Sequence, residues 1–158
     1  VEIKEIVQTL RKEGRICLQE GLGNNIELVV PERWEERHDR QEGIFLIFDL
    51  FQIRILALPF SEVSLDIVEL ATQPIIYHTT ANEVLKNAPV INHVVKFSLI
   101  KEGFWNQVLF NYGRPLIYQV PDFQGEVENH VRVKFPLVTA GVKEMFLGPE
   151  GQVKMLNG

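Results

Sequence analysis

FWNQVLFNYGRPLIYQVPDFQGE, residues 104–126, is the stretch whose reading decides the fold. Phe104, Val108, Leu109 and Tyr112 fall on one side of a 3.6-residue period, so the spacing predicts an amphipathic helix over residues 102–112. Gly113 supplies the left-handed stop that ends it. Residues 115–120 then read as a buried strand, and residues 121–126 as a turn placed to carry a site.

The same helix-then-strand rhythm runs outward in both directions. Ile3, Ile6, Val7 and Leu10 stand at i, i+3, i+4 and i+7, which predicts a helix over residues 2–13 stopped by Gly14. Residues 15–18 and 26–30 read as strands around a turn at Gly21-Leu22-Gly23-Asn24-Asn25. Pro31 suits the first turn of a short helix through Arg40, in the most charged part of the chain, with Trp34 as its anchor. Residues 44–48 form an apolar strand, whereas residues 51–58 fit a strand and a helix equally.

Further on, Ser61 caps a helix over 62–71, residues 74–78 and 94–99 read as strands, and 82–87 as a short helix. Val131, Val133 and Phe135 alternate as in a strand, and residues 145–147 with 153–156 flank a Gly-Pro-Glu-Gly turn as a terminal hairpin. Strands and helices interleave without a repeat or linker. The expected fold is therefore α/β, one domain over residues 1–158, with a twisted mixed β-sheet and flanking helices.

Length and composition set the limits. The chain has 158 residues, 46% hydrophobic and 23% charged, which suits one globular domain. It has no apolar run of the ~20 residues a membrane span needs and no signal-like start, so no membrane association and a cytoplasmic location are expected. It opens on Val1, which leaves the native start open. A net charge of −5 argues against a surface that grips nucleic acid over its whole extent, though not against a local basic groove. The one cysteine, Cys17, excludes an internal disulfide and a Cys-rich zinc site.

The short motifs weigh toward ordinary roles. Gly21-Leu22-Gly23 lacks both the GxGxxG spacing and the GK[ST] ending, so it reads as a turn before it reads as a phosphate loop. The four histidines show no metal-binding spacing, and His38 with Asp39 would point apart on a helix. Cys17 lies between Ile16 and Leu18 with no cation beside it, the setting of an inert thiol. Arg37, Arg40, Lys96, Lys101 and Arg114 are the cations available for a polyanion site, against a default of solvated surface charge.

A helix followed by Gly113-Arg114-Pro115-Leu116-Ile117, five residues, then Gly125-Glu126 resembles the YrdC-like threonylcarbamoyl-adenylate synthase family. Residues 3–16, 42–49 (EGIFLIFD), 71–77 (ATQPIIY) and the tail 147–156 (LGPEGQVKML) are similar to further blocks of that family in the same order. The resemblance implies a YrdC-like sheet with a concave face. For a working member it also implies ATP, Mg, bicarbonate and threonine as ligands, in the tRNA modification N6-threonylcarbamoyladenosine.

The family's working positions are changed here. Tyr118, Gln119, Val120, Pro121 and Asp122 replace its Ser-Thr-Ser-Ala-Asn loop, and Glu36-Arg37-His38 stands where its Lys-x-Arg pair belongs. Its strand arginine falls at Ser98, with Lys96 two residues earlier. Three functions follow as expectations. The first is a diverged domain that binds nucleotide, structured RNA or a protein partner without synthase activity. The second is a working synthase. The third is an interaction module whose exposed patch contains Trp34, Trp105 or Phe123. The residues expected to touch ligand are Arg37, Arg40, Lys96, Arg114, Tyr118 and Asp122.

Overall fold

The first apolar stripe folds as its period requires: helix α1 spans Ile3–Glu13 and buries Ile6, Val7 and Leu10. Glu2 and Glu5 close its first turn as a capping box, and Gly14 ends it at φ 80°. The chain enters β1 (Arg15–Gln19), turns, and returns antiparallel as β2 (Asn25–Val29) with Cys17 opposite Glu27. The computed structural model describes residues 1–34, 42–122, 125–138 and 141–157.

Later strands are β3 (Ile44–Ile47), β4 (Ile75–Thr80), β5 (Val90–Ile91), β6 (Val94–Leu99), β7 (Leu116–Gln119), β8 (Asn129–His130), β9 (Lys143–Leu147) and β10 (Val153–Met155). Helices α2 (Ile53–Leu56), α3 (Glu62–Leu70) and α4 (Gly103–Tyr112) lie between them. Together the described strands form one mixed, twisted ten-stranded sheet in the order β10-β9-β4-β6-β3-β7-β2-β1-β8, with β5 paired to β6. The pairs β3–β6, β4–β9 and β1–β8 are parallel and the others antiparallel.

Alternation along each strand builds two cores. Ile16, Leu28, Leu46, Leu116 and Tyr118 share one face with Ile6 and Leu10 of α1 and Trp105, Val108 and Leu109 of α4. Phe45, Ile47, Val95, Phe97 and Ile117 line the opposite face with Leu56 of α2 and Val68 of α3. Tyr77 stacks on Phe97 there with ring centroids 5.2 Å apart.

The ambiguous residues 51–58 resolve as helical: a 3-10 turn at Leu50–Gln52 runs into α2, and Gln52 Oε1 accepts from the Phe48 amide at 2.6 Å. Ser61 caps α3 by accepting from Ser64 N at 3.2 Å, and the terminal hairpin forms with Leu147 opposite Val153. Among the described residues, no helix is long and apolar enough to cross a membrane.

Four expectations are corrected. The helix expected from Pro31 is broken at Trp34: a single 3-10 turn, Pro31–Arg33, ends there in extended backbone with the indole buried in the core, and residues 35–40 lie outside the described residues. Residues 82–87 form a turn instead of a helix, because Asn82 Oδ1 accepts from the Val84 amide at 3.1 Å. Residues 131–135 are not a strand. Val131 N and Val133 O bond to the backbone of Gln19 and Gly21, and the Phe135 amide donates to the Glu20 carboxylate. Finally, Trp34 and Trp105 are buried and offer no surface patch, while Phe123 lies outside the described residues.

Candidate functional site

β1 and β2 meet at one end of the sheet, and β7 runs antiparallel to β2 so that its C-terminal end arrives there too. Two loops converge as a result: the 20–24 turn after β1 and the segment after β7. Asn25 Nδ2 donates to the Gly125 carbonyl at 2.9 Å and ties them together. Between them lies a cavity of about 420 Å³, lined by Gln19, Gly23, Asn24, Asn25, Tyr118, Val120, Pro121, Gly125, Glu126 and Val138. It is the one place where two of the motifs singled out in the sequence, the Gly-rich turn and the replaced loop, face each other.

The turn is organised by Glu20, which is only 2% exposed. One carboxylate oxygen accepts from Leu22 N at 2.8 Å, Asn24 N at 2.9 Å and Asn24 Nδ2 at 3.1 Å, and the other from Phe135 N at 2.9 Å. The remaining amides are also spent, Gly21 N on the Val133 carbonyl and Gly23 N on the Glu20 carbonyl. A phosphate loop works by offering free backbone N–H groups to an anion. Here a carboxylate of the chain itself already holds those donors.

Apart from the Glu126 carboxylate, what the cavity offers a ligand is neutral. Asn25 Oδ1 is buried with no hydrogen-bond partner among the described residues. Gln19 and Asn24 add further amide groups, and Tyr118 brings an aromatic ring packed on Phe135 at 4.8 Å. Burial, with the Glu20 charge second, raises the Tyr118 phenol above its ordinary pKa, so it is a neutral hydroxyl.

The expected ligand-binding residues scatter. Tyr118 is buried in the cavity wall, and Asp122 is exposed just beyond it. Arg114 precedes β7 and stands at the opposite end of that strand, where Nη1 pairs with Glu32 Oε1 at 2.7 Å. Lys96, half-buried in the middle of β6, has the same facing as Tyr118 but is separated from β7 by β3, about 10 Å at ordinary strand spacing. Its register partner His78 bonds Glu144 at 2.8 Å. Arg37, Arg40, His38 and Asp39 lie outside the described residues. Ser98, where the family's strand arginine falls, is buried and donates to the Ile75 carbonyl at 2.8 Å.

Among the described residues, this lining does not fit a magnesium-bound triphosphate. It supplies no cation, the N–H groups of its turn are satisfied internally, and its one charged member is the Glu126 carboxylate. No described group of three or more His, Cys, Asp or Glu could hold a metal ion. Cys17 is not a nucleophile candidate. Burial and the neighbouring Glu27 carboxylate, to which its thiol donates at 3.4 Å, push its pKa up to about 11.

Sequence reading missed Glu20, Gln19, Asn24 and Asn25. The available signal was an acid directly before Gly-x-Gly with Asn four residues on, the spacing at which a side chain folds back on its own turn.

No family model matches the chain, and no curated protein matches it. Its backbone does match solved structures. Two are of Sua5 from P. abyssi: a doubly substituted variant, with TM-score 0.71 and 12% identity, and a complex with L-threonine, with TM-score 0.68 and 14% identity. This chain is covered to 98–99%, and it spans about half the length of those chains, 52% and 54%. E. coli YciO matches at TM-score 0.68 and 11% identity, over 99% of this chain and 90% of that one. Full-length HypF, solved in a phosphate- and nucleotide-bound form, matches at 0.63 and 10%, over 98% of this chain and 28% of that one. The chain thus has the YrdC-like fold, in a sequence far diverged from the structures that share it.

Proposed function

We propose that this chain is a diverged YrdC-like domain that binds nucleotide or structured RNA in the cytoplasm through the neutral groups of a base, without making threonylcarbamoyl-adenylate. The observation that carries the reading is Glu20, whose carboxylate occupies the anion place of the turn and closes it to a phosphate. Amide side chains beside an aromatic ring match the donor and acceptor edge and the flat face of a base. The ligands of the similar structures support a small polar ligand in this fold: L-threonine for Sua5, phosphate and nucleotide for HypF.

Isothermal titration against adenosine and against a short RNA hairpin with an unpaired loop tests the reading. Binding of either ligand, weakened about tenfold by Asn25→Ala, is expected for one lost hydrogen bond of ~1.4 kcal/mol. Failure of both to bind would overturn it. The synthase reading predicts pyrophosphate release that depends on threonine, and its appearance would replace this proposal.

A further inference from the structure

Another concave surface lies between α2 and α3, on the sheet face opposite Tyr118. It is a groove of about 660 Å³ with Ile53, Phe60 and Leu65 in its floor. Phe51 stands on its lip with 74% of its surface exposed, an unusual state for a large aromatic. The groove has one charge on each helix, Arg54 on α2 and Glu69 on α3. Neither makes an ion pair among the described residues, and the Arg54 guanidinium rests 5.6 Å above the Phe51 ring. On the same two helices Ile55 and Leu70 are exposed as well, 48% and 74%.

We infer that this groove is a two-fold interface between two copies of this chain. A surface that is its own partner must carry each feature together with its complement. This one does so twice. It places an aromatic knob beside an apolar hole, and a cation opposite a carboxylate. Rotation about a two-fold axis delivers each copy's Phe51 into the other's groove and each Arg54 to the other's Glu69. A partner of unrelated sequence would explain the exposed ring, but not the pairing of knob with hole and of plus with minus. Burial of the phenylalanines supplies apolar contact, and the two reciprocal ion pairs fix the register.

Sedimentation equilibrium from ~1 to ~100 μM, the range in which a micromolar dimer dissociates, tests the inference. A reversible dimer is expected. Phe51→Ser, a change at an exposed position that leaves the core intact, is expected to raise the dimer Kd at least tenfold. R54E and E69R should each weaken it similarly, and the R54E/E69R double variant should return it to within about threefold of the starting value, since the coupling is pairwise. Thermal melts of each variant confirm that the fold is kept. A monomer at every concentration would overturn the inference and assign the groove to a different occupant. A dimer indifferent to Phe51→Ser, or a double variant no better than the singles, would overturn it too.

Discussion

Glu20 shows how one side chain can reset a site. It accepts three backbone N–H groups and one side-chain amide while almost wholly buried. Glu20→Gln keeps the shape but turns one oxygen into a donor, so at least one of these N–H groups would face a hydrogen-bond donor. A loss of ~2 kcal/mol or more in urea unfolding is expected, the cost of a buried charged acceptor removed. Unchanged stability would mean that the carboxylate does not hold the turn. Cys17 and Tyr77 make a second prediction at this scale. Burial raises the Cys17 thiol from 9.0 to about 11 and the Tyr77 phenol from 10.0 to about 12. Both are neutral when protonated, and both folded values lie above the unfolded ones. Their contribution is therefore intact below pH 9 and lost as pH rises from about 9 to about 12. Melting temperature should fall across that window, and Cys17→Ala should flatten the part below pH 11 only. Alkylation of Cys17 at pH 8 should run ~100-fold slower than for an unperturbed thiol, following its thiolate fraction.

At the scale of elements, the 20–24 turn and the 131–135 segment are one unit. A β-carbon on Gly21 would sit 2.4 Å from the Arg132 carbonyl and 2.7 Å from the Lys134 amide, both backbone atoms that cannot swing away. Gly21→Ala should cost ~3 kcal/mol or more, whereas Gly23→Ala, at φ 92° but facing open space, should cost about 1–2. Equal effects in denaturant titration would contradict this close packing. These two segments also show what was legible in the sequence. Helix α1, the cap at Ser61, the strand after Gly113 and the terminal hairpin follow from local period and capping, and each forms as read. The alternation at Val131, Val133 and Phe135 misleads because these residues lie along the end of β1 and the Glu20 carboxylate, a partnership 115 residues apart. Asn82 misleads for the opposite reason, since its own side chain captures the next turn before a helix can start. The loop after β7 was legible as one wall of the candidate cavity, but the groups opposite it were not. Glu20 and Asn25 come from a different hairpin, and only the antiparallel pairing of β2 with β7 brings them to Tyr118.

For the molecule as a whole, a shared scaffold goes with little shared sequence. A backbone that superposes on Sua5 and YciO over 98–99% of its length keeps 11–14% of their sequence. Residues that shape the chain are in place: Gly113 with φ 95° ends α4, and Pro115 leads into β7 buried on both faces. Where a triphosphate would need converging cations, the described end of the sheet presents carboxylates and carboxamides. Arg114 is taken up by Glu32 at the far end. The ratio of two affinities therefore bears most directly on the account. Titration calorimetry of magnesium ATP and of adenosine against the same protein should give Kd values within about threefold of each other, because the phosphates find no free donors among the described residues of the cavity. ATP binding ~30-fold or more tighter than adenosine would mean that the turn opens to phosphate, and would contradict the reading of Glu20 as its resident anion.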